Sequence, residues 1–215
     1  MNLHSNIFKQ TNIFKSSNLF ESIQNNLHEA EDLDKCIKDY SEYVDAHIQN
    51  VNKAWVDEVS KIDDEFIQSH LDEIANKVED HDRSKWSNEE FDAYRANYNP
   101  INDQEKIDNE ANFQAAWWHH FQNNDHHWQH WTGEDGELLP IEDIDKVKLA
   151  YVEMICDWQA MGYVFGDTAK QYYESNKDTI KIYPELQDWL EELLNKLENL
   201  EVDKNEDRET NDSQI

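Results

Sequence analysis

The chain has 215 residues and a net charge of -29, with 48 acidic residues against 19 basic ones and ten histidines. Its length suits one domain of ordinary size with tails, and its charge argues against direct binding to a nucleic-acid backbone, because counterion release needs Lys and Arg. No apolar run approaches the ~20 residues of a membrane span, the N-terminus lacks the basic-apolar-small order of a secretion signal, and two cysteines, Cys36 and Cys156, make no disulfide framework and read as buried free thiols.

Only four Gly and three Pro interrupt the chain, so long helices are expected. Residues 1–28 carry an echo of period six: Ser5-Asn6-Ile7-Phe8-Lys9, Thr11-Asn12-Ile13-Phe14-Lys15 and Ser17-Asn18-Leu19-Phe20-Glu21. Six matches neither a helix face nor a full repeat unit. The segment reads as a poorly ordered extension or as a tail that docks a protein partner. From Leu33 the pattern turns helical, and Cys36, Ile37, Tyr40, Tyr43, Val44, His47, Val51, Ala54 and Trp55 share one face. A second helix over 64–80 aligns Ile67, Leu71, Ile74 and Val78 with His81. Ser87 followed by Glu90 reads as a capping box that starts a third helix at 87–98, which Asn99-Pro100 ends. Residues 101–111 read as a loop or a helix start. A helix over 110–122 aligns Phe113, Ala116, Trp117 and His120, and Asn124 reads as the cap of a short turn through His126, His127 and Trp131. After a loop over 132–140, a helix over 141–161 carries Ala150, Glu153, Asp157 and Met161 on one face. Another follows Gly166 at 167–176. The last, over 184–200, has a leucine stripe, and residues 201–215 are polar and read as a disordered acidic tail. No alternating strand-length segment competes. The predicted fold class is all-α, one helical domain over 29–200.

Three helices put a chemically competent residue where an apolar one is expected: His47, His81 and Asp157. A buried carboxylate without a partner is costly, so such a position calls for a metal, a cation or strong donors. Asp82, beside His81, can join the set where the helix ends. The pairs His119-His120 and His126-His127, with His130, add further imidazoles among Trp117, Trp118, Trp128 and Trp131. His120 and His127, seven apart, would share a face of an unbroken helix. The plainer alternatives are hydrogen-bonded core polar groups and an aromatic surface. Imidazole with carboxylate suits Mn, Fe, Co, Ni or Zn better than Ca, and Mg stays in the set. The candidate ligands for one or two divalent ions are His47, His81, Asp82, His120, His126, His127 and Asp157.

The order His47, His81-Asp82, Asp157 resembles the H…HD…D order of the HD superfamily of metal-dependent phosphohydrolases. The string His81-Asp82-Arg83-Ser84-Lys85 looks like the HDxxK form of several branches, and the paired histidines are similar to those of branches that hold a second metal. The runs HDRSKWSNEEF, AWWHHFQNNDHHW and EMICDW also resemble a small uncharacterised family in phages and bacteria, over roughly residues 40–185. No DGxGYP string follows the second His pair, so the resemblance does not extend to the cyclic-dinucleotide branch. It implies an HD-like helical domain in the cytoplasm of a bacterial host cell. Its metal ions would polarise a phosphoryl oxygen and lower the pKa of a bound water. Lys85 would contact the substrate phosphate, and Glu153 would orient or deprotonate the water or else support the ligands from behind. The implied substrate is small and phosphate-containing, a nucleotide or another ester. The competing expectation is a non-enzymatic acidic protein of phage type that binds a basic host partner.

Overall fold

The computed structural model describes residues 4–212, with side chains placed over residues 30–200. The Asn-Phe echo over 5–21 and the tail beyond residue 200 lie outside the residues whose side chains are described. Nine α-helices and no strand occur among the described residues, which makes the fold all-α. They are α1 (His4–Asp57), α2 (Glu65–Ser69), α3 (Leu71–Glu79), α4 (Phe91–Tyr98), α5 (Asp103–Asp108), α6 (Glu110–Asn123), α7 (Ile144–Phe165), α8 (Ala169–Asn176) and α9 (Pro184–Asp212). None is long and apolar enough to cross a membrane.

The axis of the fold is α7. It is buried almost all round, through Val147, Ala150, Tyr151, Val152, Met154, Ile155, Trp158 and Ala160, which is the pattern of a central helix rather than a surface one. Its start and stop are local. The Asp143 side chain accepts from the amides of Asp145 and Lys146, and Gly166 ends the helix in the left-handed region at φ 82°. On α7 pack Val51 and Ala54 of α1, Ile74 and Val78 of α3, and the stripe Leu186, Leu190, Leu193, Leu194 and Leu197 of α9. A second, smaller apolar cluster joins Tyr40 and Val44 of α1 to Tyr94 of α4 and Ala116 of α6. His47 lies on α1 between Val44 and Val51, where the two clusters meet. Cys156 is buried as expected, whereas Cys36 is only half-buried.

Two local expectations need correction. The helix foreseen over 64–80 is broken at His70. There the His70 Nδ1 lies 2.8 Å from the Phe66 carbonyl oxygen, and the backbone amide turns to Ile67 instead, at 3.1 Å. A side chain has taken the acceptor that an unbroken helix would give to its own amide. The capping box at Ser87 does not form: a 3-10 turn covers Arg83–Trp86, and α4 begins at Phe91 with no side-chain cap. Of the two readings of residues 101–111, the helix start holds: α5 begins there, and its cap is Asn102, accepting from the Glu105 amide at 2.9 Å.

Gly162 marks the closest approach of α7 to the turn that follows it. A Cβ there would stand 2.3 Å from the Asp167 carbonyl oxygen, which is backbone and cannot swing away. Gly162→Ala is expected to lower stability by about 1–3 kcal/mol through overpacking. Urea unfolding measures it, and an unchanged midpoint would show that the turn yields freely.

Candidate metal centre

His47 comes from α1, His81 and Asp82 from the end of α3, His120 from α6, His126 and His127 from the loop after α6, and Asp157 from α7. His47, His81, Asp82, His120 and His126 are buried, and they converge at the junction of the two apolar clusters. The convergence needs two helix ends. After α3 the chain turns with Asp82 at φ 57°, a left-handed conformation that swings its carboxylate to the same side as the His81 ring. After α6, Asn124 closes the helix, donating from its side chain to the His120 carbonyl at 2.7 Å and to the Ser84 hydroxyl at 2.7 Å. His127 therefore reaches the site from a loop, not from a continuous helix face.

Two groups of ligand atoms meet at Asp82. In the first, His47 Nε2 lies 3.3 Å from Asp82 Oδ2 and 3.2 Å from Asp157 Oδ1, while His81 Nε2 lies 3.6 Å and 3.8 Å from the same two oxygens. The two imidazole nitrogens face each other at 3.3 Å. In the second, Asp82 Oδ1 lies 3.2 Å from His120 Nε2 and 3.6 Å from His126 Nε2. Asp82, His120, His126 and His127 each offer one atom within 4.8 Å of the others. Ligands bonded at ~2.0–2.2 Å to one ion stand about 3.0–3.5 Å apart, so these edges match the shell of a cation.

Hydrogen bonding separates the cation reading from an ordinary polar core. Asp82 Oδ1 and the Nε2 atoms of His120, His126 and His127 are buried without a hydrogen-bond partner among the described residues. They are close, yet they aim at a common point rather than at one another. Leaving one such atom unpaired costs ~1–3 kcal/mol, and four in one place would be a severe defect without a cation between them.

The far nitrogens are held by a second ring of carboxylates. Glu153 Oε1 accepts from His81 Nδ1 at 2.9 Å and from His126 Nδ1 at 3.0 Å, and Lys77 pairs with Glu153 Oε2 at 3.3 Å and with Asp125 at 2.6 Å. Glu90, fully buried, accepts from His120 Nδ1 at 2.8 Å and from His119 Nδ1 at 2.7 Å. A proton fixed on Nδ1 leaves Nε2 as a bare lone pair, the tautomer a metal needs. Sequence reasoning missed Glu90, because Ser87-x-x-Glu90 also fits a capping box. For Glu153 it left open a role at the water and a place behind the ligands, and the Glu153 oxygens meet the Nδ1 atoms of His81 and His126. His119 serves Glu90 from the rim, and His130 points to the Phe121 carbonyl at 2.9 Å, outside the set.

Electrostatics follows from this packing. Burial pulls the His47 imidazole down, but its bonds to Asp157 and Asp82 outweigh that and lift it to about 9. A proton thus sits between two carboxylates where a cation would. Burial raises Asp82 and Asp157, yet Lys85, with the histidines, holds Asp82 well below the carboxylate range, and His47 does the same for Asp157. Burial and its neighbours His126 and His120 keep His127 neutral, ready to ligate. Lys85 Nζ lies 2.5 Å from Asp82 Oδ2. One small cavity of about 160 Å³ is lined by Lys85 and by His47, Asp82, Asp157, His120 and His127 from both groups, and a second of about 230 Å³ adjoins it past Trp117 and Met161.

The fold and site define an all-α protein with buried His, Asp and Glu groups that could hold a metal ion. Residues 36–199 match a family described as a family of unknown function, DUF5662, and since this is most of its length, the chain belongs to that family. No curated protein and no solved structure matches it.

Glu153 accepts from two buried imidazoles and pairs with Lys77, so removing it strands two donors at once and leaves Lys77 to Asp125 alone. Glu153→Ala is expected to destabilise the metal-free protein by about 3–5 kcal/mol. A loss below ~1 kcal/mol in urea unfolding would mean that the imidazoles do not depend on it.

Proposed function

We propose that the protein is a metal-dependent phosphohydrolase of HD type, acting on a nucleotide or another phosphate ester. The observation that carries this reading is the division of Asp82. One of its oxygens faces His47 and His81 with Asp157 nearby, and the other faces His120, His126 and His127. One carboxylate shared by two nitrogen-rich shells is an arrangement for two divalent ions, with Mn, Fe, Co, Ni, Zn or Mg as candidates. Such ions supply Lewis acidity towards a phosphoryl oxygen and lower the pKa of a bound water.

The remaining roles belong to the chain. Lys85 neutralises Asp82 and lines the cavity, so its ammonium is placed to meet an anionic group. Glu153 and Glu90 hold three ligand imidazoles in one tautomer, which makes them positioning residues rather than a general base.

Metal analysis of the purified protein should give about two ions per chain. His47→Gln should remove one, His120→Gln with His127→Gln the other, and Asp82→Ala both. Stoichiometry that is the same in all four proteins would sink the shared-carboxylate arrangement.

Turnover is the separate test. A panel of nucleotides and phosphomonoesters with Mn, Co, Ni, Mg and Fe should reveal hydrolysis that falls about 10³-fold or more in Asp82→Ala. Hydrolysis that survives this change comes from a contaminant. A fully metal-loaded protein that turns over nothing would move the weight to the other reading, an acidic protein that binds a basic partner.

A further inference from the structure

Two buried tyrosines beside the ligand atoms have no work in the fold that accounts for their hydroxyls. Tyr40 on α1 and Tyr94 on α4 are 1% and 3% exposed, and both line the 160 Å³ cavity together with Lys85, Asp82 and His47. Their rings are well used: Tyr40 meets Phe91 edge-on at 5.3 Å, and Tyr94 meets Phe113 at 5.2 Å. Their hydroxyl oxygens are buried with no hydrogen-bond partner among the described residues. Phenylalanine would fill the same space at both positions without that cost. A buried hydroxyl that costs stability and stands next to a reactive centre points to a ligand.

The same cavity carries the Lys85 ammonium, 5.9 Å from the centre of the Tyr94 ring. One cation and two neutral O–H donors around a space of this size suit a group with several oxygens and a negative charge. A phosphoryl group has three such oxygens, and only some of them can face the metal side. We propose that Tyr40 and Tyr94, with Lys85, form the pocket that receives the phosphoryl oxygens of a small phosphate monoester. The assignment rests on the phosphohydrolase reading for the name of the anion and adds the residues that bind it and the size of what enters.

Size follows from the cavities. At about 160 Å³ and 230 Å³ they fall below the ~300–1,000 Å³ of pockets that enclose drug-sized ligands. Trp117 and Met161 line both, and the second adds Trp158, Phe165 and Tyr172. A compact ester with a flat or apolar body fits this pair of spaces. A nucleic-acid strand does not, and the charge of the chain opposes it as well.

The test uses full-length, metal-loaded protein and inorganic phosphate as the probe, with binding measured by calorimetry and metal content measured in parallel. Tyr40→Phe and Tyr94→Phe keep the rings and remove an unpaired hydroxyl, so metal content should stay at the wild-type value and melting temperature should hold or rise. Each should bind phosphate about 5–10-fold more weakly, and the double variant about 25–100-fold, the loss expected for one neutral hydrogen bond at a time. Wild-type affinity in the double variant would overturn the proposal, because the hydroxyls would then serve only an ordered water. Phosphate that fails to bind the metal-loaded wild type overturns it too. Tyrosine-dependent phosphate binding in a protein that hydrolyses no ester upholds the pocket and fells the hydrolase reading alone.

Discussion

The structure around the site depends on where Asp82 puts its two oxygens. Oδ2 lies against His47 and His81, Oδ1 against His120 and His126, so four histidines from α1, the end of α3, α6 and the following loop are referred to one side chain. To reach that position the residue leaves helical geometry, and it is the one non-glycine residue at positive φ among those described. The left-handed region costs roughly 1–2 kcal/mol for an L-residue, least for Asp and Asn. Such a conformation persists only where the surroundings fix it. Here they do, through Lys85 three residues on and the imidazoles in front.

A carboxylate in that place would still be a poor organiser if the imidazoles could flip or change tautomer. Glu153 and Glu90 prevent this from opposite sides, one reaching His81 and His126, the other His120. The two are themselves anchored, Glu153 by Lys77 and Glu90 by His119. Order therefore runs outward from the ligand atoms to carboxylates and then to a surface cation or imidazole. This layering explains why so many ionisable groups can be buried together. Most have a partner of opposite character within hydrogen-bond reach, the exceptions at the site being Asp82 Oδ1, the Nε2 atoms of His120, His126 and His127, and the Tyr40 and Tyr94 hydroxyls.

How much of this the sequence disclosed follows from what periodicity can report. His47, His81 and Asp157 were legible because each interrupts an apolar stripe on a long helix, where the face is unambiguous. The end of α6 was legible too, since the helix was read to 122 with Asn124 at the turn that carries His126 and His127. The break at His70 was not, because it arises from a side-chain competition that propensity does not encode. Glu90 was hidden because its spacing from Ser87 satisfies a capping pattern equally well. Tyr40 read as one more apolar position on its stripe, since pattern alone does not show whether a buried phenol finds a partner. Apart from the local competition at His70, what escaped was a property of contacts between distant segments, such as Glu90 with His120, 30 residues apart.

The charge of the chain bears on the proposed phosphate ligand, and its distribution decides how much it opposes one. Ten of the acidic residues, against three basic ones, fall in the last 28 residues. Salt screens exposed charges beyond ~8–10 Å, so such distant groups shape encounter more than they shape the pocket. Around the site itself stand four carboxylates, Asp82, Asp157, Glu90 and Glu153, each held below its ordinary pKa by the cations and imidazoles beside it. Two divalent ions would balance those four, leaving Lys85 as local excess, because Asp125 balances Lys77. The tyrosine hydroxyls add donors without adding charge. An anion entering the cavity would then meet a neutral-to-positive interior behind an acidic exterior, and that exterior would penalise a polyanionic strand far more than a single phosphate group. On this view the acidic surface acts as a filter for small ligands rather than as a defect that the site must overcome.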